Sequence, residues 1–237
     1  KDKCLSKCTE KDKALLSLFE WLSFGGINFD LISEALLPSQ IKSIDGDIHV
    51  GAMKYDTVLV PDCITLRSTT LEALRAMKDK GIEVIFVGDA PSLMDGIPSA
   101  SVKSFADACK KVSYTHSAVV LALEKHRAFE LFGERADRYI FKDMSYDGSR
   151  WLFLAPAKDV KDKENSIGYP HILRLKGELS PRIYDAMSGN ISVPEYKYSN
   201  GNTIVSLMLH EYQAVLLRLD DKSDPCHEYN GKAHRRA

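Results

Sequence analysis

This chain has little of what marks a specialised protein. Its 237 residues include five cysteines, Cys4, Cys8, Cys63, Cys109 and Cys226, an odd number at scattered spacings. Such a set makes no disulfide framework. Cys4 and Cys8 stand one helical turn apart, but a closed zinc site needs two further ligands, and Cys226-His227 is the one other close Cys/His pair. We therefore expect no metal and no cofactor. No apolar run approaches the roughly 20 residues that span a membrane, and no secretory signal pattern opens the chain. Neither sign of charge dominates. The 32 Lys and Arg and 33 Asp and Glu are spread along the sequence, which leaves no basic footprint for nucleic acid. The short basic end, His234-Arg235-Arg236, reads as a terminal tail. The first residues, Lys1-Asp2-Lys3, do not begin with Met, so the expectation is a processed or excised piece of a longer protein.

What is present is ordinary globular material. A hydrophobic fraction of 44% suffices to build a core, and the length suits one large domain or two smaller ones. The segment from Tyr55 to Pro91 says most about the fold. Thr57 to Val60 and Glu83 to Val87 are continuous apolar runs of the kind found in buried parallel strands. Between them lies a helix pattern. Thr69 with Glu72 reads as a capping box, Leu71, Leu74 and Met77 line one face, and Gly81 is the stop. A right-handed crossover then makes the two strands parallel neighbours. Upstream, Leu15, Leu18, Phe19, Trp21 and Leu22 give residues Ala14 to Phe24 a helical pattern ended by Gly25-Gly26. Ile27 to Ile41 reads as a strand end followed by a short helix, and Asp45-Gly46-Asp47 as a turn. Further helices are predicted over Val102 to Lys111 and Ser117 to Phe132, the second closed by Gly133.

After Arg138 the period changes. Short β-rich runs follow one another: Tyr139 to Phe141, Trp151 to Leu154, His171 to Leu175, Thr203 to Leu207 and Ala214 to Leu219. Turn signals separate them at Asp147-Gly148, Lys176-Gly177, Ser188-Gly189-Asn190 and Ser199-Asn200-Gly201-Asn202. The charged stretch Lys158 to Glu164 reads as an exposed loop. The expected architecture is α/β plus all-β: a flavodoxin- or amidotransferase-like parallel sheet with flanking helices, then an antiparallel β-sandwich. The expected divisions are residues 1–135, 136–220 and a tail at 221–237, with the boundary near Gly133 to Asp137.

Candidate chemistry falls in two places. In an open parallel sheet, ligands bind at the loops that follow the strands. Here these are Pro61-Asp62-Cys63 and Gly88-Asp89-Ala90-Pro91. Cys63 holds the place of a nucleophile between strand and helix, but its neighbours Pro61, Asp62, Ile64 and Thr65 do not suit a strained elbow. No His is followed two positions on by an acidic residue, and His116 and His126 lie on or beside a helix. A buried structural thiol is the other reading. Asp62 and Asp89 follow neighbouring strands and could face each other, as glycoside hydrolysis requires of two carboxylates. Loop aspartates equally bind backbone amides. In the second half Tyr196 and Tyr198 share one strand face, where they could stack on sugar rings or cover a core.

The order of these segments resembles the C-terminal part of the large α-L-rhamnosidase-like glycoside hydrolases. The matching words are N-F-D-L-I-S-E-A-L-L, Y-D-T-V-L-V-P-D-C-I-T-L and L-E-A-L-R-A-M-K-D-K-G-I-E-V-I-F-V-G-D-A-P. They continue with R-Y-I-F-K-D, R-W-L-F-L-A and L-K-G-E-L-S-P-R-I-Y-D-A-M-S-G-N-I, so the resemblance runs from about residue 27 to 219. It implies an amidotransferase-like α/β domain followed by a β-sandwich, behind a catalytic barrel. It also implies that Tyr184-Asp185 and Ser188-Gly189 form a strand end and a tight turn with Gly189 at positive φ. Ala155-Pro156 stands where the family often has an Asn. A barrel takes about 250 residues, so no catalytic carboxylate carries over to this chain. The function implied is a non-catalytic accessory region of a glycoside hydrolase. Its partners would be the catalytic domain of the parent chain and a polysaccharide or oligosaccharide. The alternatives are a free-standing small-molecule hydrolase built on Asp62, Cys63 and Asp89, and a carbohydrate-binding module built on Tyr196 and Tyr198.

Overall fold

The structure is a computed structural model that describes residues 2–158, 168–210 and 212–222, with side chains from residue 6 onward. The side chain of Cys4, most of the charged stretch to Glu164, Cys226-His227 and the tail beyond Lys222 lie outside the described residues. Contacts divide the chain into two compact units, Lys1–Trp21 with Phe29–Glu124, and Leu22–Asn28 with Lys125–Ala237. The second unit thus begins ahead of the expected boundary near Gly133 and takes in a short upstream segment. Among the described residues no helix is long and apolar enough to cross a membrane.

The first unit contains most of α1 (Asp2–Phe24), then α2 (Leu37–Gln40), β1 (Ile41–Asp45), β2 (Asp47–Val50), β3 (Met53–Tyr55) and β4 (Thr57–Pro61). It continues through β5 (Thr65–Leu66), α3 (Ser68–Asp79), β6 (Glu83–Val87), β7 (Leu93–Met94), β8 (Ile97–Pro98), α4 (Ala100–Asp107), β9 (Lys110–Val112) and α5 (His116–Ala122). The expected parallel pair is present, with Thr57 registered on Glu83 and Val60 on Phe86. β9 extends it to a three-stranded parallel sheet in the order β4-β6-β9. Val84 to Val87 of β6 are all buried, as expected of a strand covered on both faces. Leu71, Leu74 and Met77 of α3 pack with Val84 and Phe86 in one apolar core, joined by Val102, Phe105 and Ala106 from α4.

The ends of α3 separate what is local from what is not. Its C-terminus follows the sequence. Gly81 at φ +85 donates its N–H to Lys78 O, and the N–H of Ile82 reaches Met77 O at 3.0 Å. This is a Schellman closure, with Ile82 and Met77 both buried. The N-terminus corrects the capping-box expectation. The helix starts at Ser68, which places Thr69 inside it, and Arg67 at the cap makes no side-chain capping bond. Carboxylates distant in sequence accept the free donors instead. Arg67 N–H bonds Glu34 Oε2 at 2.8 Å, and Ser68 N–H bonds Asp95 Oδ1 at 3.1 Å.

Other expectations change as well. Ile27 makes one isolated bridge to Arg127, and residues 28–36 form no strand before the short α2. The turn at Asp45-Gly46-Asp47 joins β1 to β2, and β3 completes an antiparallel meander that the sequence did not announce. The helix expected to reach Lys111 ends at Asp107, and Lys110 to Val112 pair with β6 instead. The helix expected over residues 117–132 stops at Ala122, because Phe129 to Gly133 belong to a strand of the second unit.

The strands of that unit pair antiparallel. It comprises β10 (Phe129–Gly133), β11 (Tyr139–Tyr146), β12 (Ser149–Pro156), β13 (Gly168–Lys176), β14 (Leu179–Tyr184), β15 (Ile191–Ser192), β16 (Glu195–Ser199), β17 (Asn202–His210) and β18 (Val215–Asp221). Two sheets result, ordered β10-β13-β17-β16 and β11-β12-β18-β14-β15. Both contribute to one core of Leu152, Leu154, Leu173, Leu175, Val205, Leu207, Leu217 and Leu219. Along β13 and β17 buried and exposed residues alternate, which is the period of a sheet with one face on a core. The two-residue turns Asp147-Gly148 and Asn200-Gly201 have positive φ at both positions, the geometry that tight hairpins require. At the turn after β14, Asp185 accepts from the Met187 N–H at 2.9 Å and from the Ser188 hydroxyl, and Gly189 sits at φ +70.

One buried polar group in this unit was not evident from sequence. Thr203 is fully buried; its hydroxyl accepts the Leu179 N–H at 2.7 Å and donates to Gly177 O at 2.8 Å. Thr203→Val keeps the shape and orphans both backbone groups, so urea unfolding should show a loss of about 1–3 kcal/mol. An unchanged midpoint would mean that this bridge contributes nothing.

Candidate functional site

The carboxyl ends of β4, β6 and β9 bring together Asp62, Gly88 and Tyr114. Gly88 N–H donates to Val112 O at 2.8 Å. Gly88 lies at φ +84, and a Cβ there would sit 3.0 Å from both Asp62 Cβ and Tyr114 Cδ2. Glycine lets these side chains close over the strand end. Asp62, 17% exposed, forms an ion pair with Lys11 from α1. Trp21, on the same helix, places its ring 5.5 Å from that of Tyr114 and 6.1 Å from the His116 imidazole.

Two groups of this cluster are held above their ordinary pKa. Burial, with Asp62 as a second cause, pushes the Tyr114 phenol up to about 12. Its hydroxyl has no hydrogen-bond partner among the described residues. Half-buried Cys63 is pushed up to about 11, first by burial, then by the charges of Glu34 and Asp62, with Lys11 opposing. The site therefore holds a neutral thiol, a neutral phenol and a carboxylate already engaged by an ammonium group. Asp89 is exposed on the next loop, and no hydrogen bond or ion pair joins it to Asp62 or Cys63.

Asp62 and Cys63 were visible in the sequence; Lys11, Glu34 and Tyr114 were not. Tyr114 had a signal. It follows Lys110 to Val112, and reading that segment as a strand would have made Tyr114 the third strand-end residue. Lys11 carried none beyond its place on a helix.

Tyr196 and Tyr198 share a face of β16, as expected, with ring centroids 5.7 Å apart and edge to face. Tyr196 packs against the second core, and burial raises its pKa. The Lys222 ammonium lies 4.5 Å from the centre of the Tyr198 ring and covers it.

No protein-family model and no curated protein matches the sequence. Solved structures do match. A rhamnosidase from Novosphingobium sp. PP1Y superposes with a TM-score of 0.62 at 15% identity, over 88% of this chain and 21% of that one. An apo exo-carrageenase from Bacteroides ovatus gives 0.54 at 12% identity, over 88% and 26%. An alpha-L-fucosidase isoenzyme from Paenibacillus thiaminolyticus gives 0.51 at 14% identity, over 89% and 45%. At these identities the likeness is one of fold. The chain spans less than half the length of each of these glycoside hydrolases.

The thiol gives a direct check on the strand-end electrostatics. Near pH 9 an ordinary thiol is half ionised, whereas Cys63 at about 11 is ionised to roughly one part in a hundred. Iodoacetamide should therefore alkylate exposed Cys8 well before Cys63 in the folded protein, and the Cys63 rate should keep climbing past pH 10. Faster modification of Cys63 at pH 8 would contradict the arrangement.

Proposed function

We propose that this chain is a non-catalytic accessory region of an α-L-rhamnosidase-like glycoside hydrolase. In this reading an amidotransferase-like α/β domain and a β-sandwich support a catalytic barrel elsewhere in the parent chain, and glycan contact is secondary. The observation that carries the reading is the pattern of coverage. Several glycoside hydrolases match almost the whole of this chain, and it matches only 21–45% of theirs. The strand-end chemistry supports it too. Hydrolysis of a glycosidic bond needs two carboxylates facing each other across the bond. Here Asp62 is engaged by Lys11.

The test is direct. The purified chain should not hydrolyse nitrophenyl rhamnosides, galactosides or fucosides above the buffer rate. Turnover that survives purification and falls on Asp62→Asn or Asp89→Asn would overturn the accessory reading and make the strand-end loops an active site.

A further inference from the structure

The outer face of the five-stranded sheet carries an arrangement that folding alone does not favour. In register across β12, β18 and β14, Trp151 pairs with Arg218, and Arg218 pairs with Arg182. The adjoining row is Phe153, Leu216 and Tyr184. The intervening residues Leu152, Leu217 and Leu219 lie in the core, so these two rows point away from it. Like charges directly opposite each other on a sheet destabilise it. Arg218 is compensated. Its Nε donates to Asp220 Oδ1 at 2.9 Å and to Ser149 Oγ at 3.1 Å, and the Tyr184 hydroxyl also bonds it. Arg182 is exposed and has no carboxylate partner among the described residues. Lys142, in register with Phe153 on β11, is a further exposed cation on the same face with no such partner.

Aromatic surface adjoins this charge. The rings of Trp151 and Tyr184 meet edge to face at 5.0 Å, the Arg218 guanidinium lies 5.8 Å from the Trp151 ring centre, and Phe153 is 37% exposed beside them. Arg182 and Arg218 stand opposite each other in register, and a guanidinium fits a carboxylate or sulfate, which accepts charge-assisted hydrogen bonds from it. Exposed aromatic surface fits the apolar face of a pyranose ring.

We propose that this face binds an acidic oligosaccharide. A carboxylate or sulfate on one sugar sits between Arg182 and Arg218, and the neighbouring ring lies against Phe153 and the Trp151–Tyr184 pair. The glycan half of this assignment rests on reading the chain as part of a glycoside hydrolase; the anionic half rests on the sheet register alone.

Calorimetric titration of the whole chain tests it with four probes: tetragalacturonate, a sulfated carrageenan tetrasaccharide, cellotetraose and sodium sulfate. At least one acidic tetrasaccharide should bind with one-to-one stoichiometry, weaken as ionic strength rises, and exceed cellotetraose by roughly tenfold or more. Which of the two binds distinguishes carboxylate from sulfate. Arg182→Gln should weaken it by roughly tenfold, the worth of a charge-assisted hydrogen bond. The same substitution relieves the like-charge pair, so the thermal midpoint should hold or rise, which separates lost binding from lost folding. Absence of binding by both acidic saccharides, equal binding of cellotetraose, or undiminished binding by Arg182→Gln would each overturn the proposal. Sulfate alone binding as tightly as the saccharides would make this a plain anion site and overturn its glycan half. Self-association abolished by Arg182→Gln, with no saccharide bound, would assign the face to a protein and overturn it too. Hydrolysis of aryl glycosides would instead sink the accessory reading and leave these binding results standing.

Discussion

The ion pair between Lys11 and Asp62 is the contact on which the first unit's strand ends depend. Asp62 follows a strand of the parallel sheet and is only 17% exposed, so its charge needs a partner nearby. The partner comes from α1. Lys11 and the buried Leu18 stand seven residues apart, two helical turns along one stripe of that helix. Charge pairing and apolar burial thus act along the same side of α1. Gly88 makes room for the closure, and Tyr114 and Trp21 fill the space around it. The strand ends of a parallel sheet, the usual place for a ligand, are here occupied by the protein's own side chains.

The parts of the fold legible in sequence were those fixed by neighbours a few residues away. Thr57 to Val60 and Glu83 to Val87 read as parallel strands because each is a continuous apolar run. Gly81 read as a stop because a Schellman closure involves only residues 77 to 82. Asp147-Gly148 and Asn200-Gly201 read as turns because their backbone angles suit few other residues. The illegible parts were fixed at long range. Phe129, Leu131 and Phe132 fit a helical or an extended period, and the choice is made by Leu175, Leu173 and Ile172, 40 or more positions on. The cap of α3 is supplied by Glu34 and Asp95, which no local motif can indicate.

The same division holds for the candidate residues. Asp62, Cys63 and Asp89 stood out because strand-end loops stand out, but the Lys11 partner of Asp62 and the burial and Glu34 charge that raise the Cys63 thiol come from distant parts of the chain. Tyr196 and Tyr198 were placed correctly on one face of a strand, while the Lys222 contact that covers one ring arrives from 24 residues away. Arg182 and Arg218 drew no notice in sequence because their opposition exists only once β14 and β18 are in register. Conflict between like charges is a tertiary fact. It marks a surface whose composition answers to something other than folding.

The measurement that bears most directly on the account is a double-mutant cycle on Lys11→Met and Asp62→Asn, read by urea unfolding of the full chain. If the strand-end carboxylate is a structural fastening, each single substitution destabilises the protein. The pair then couples on the order of 1 kcal/mol, a modest figure because Lys11 remains partly exposed. Additive effects, with Asp62→Asn neutral, would contradict this. They would mean that Asp62 is not held by α1 and is a carboxylate available for chemistry.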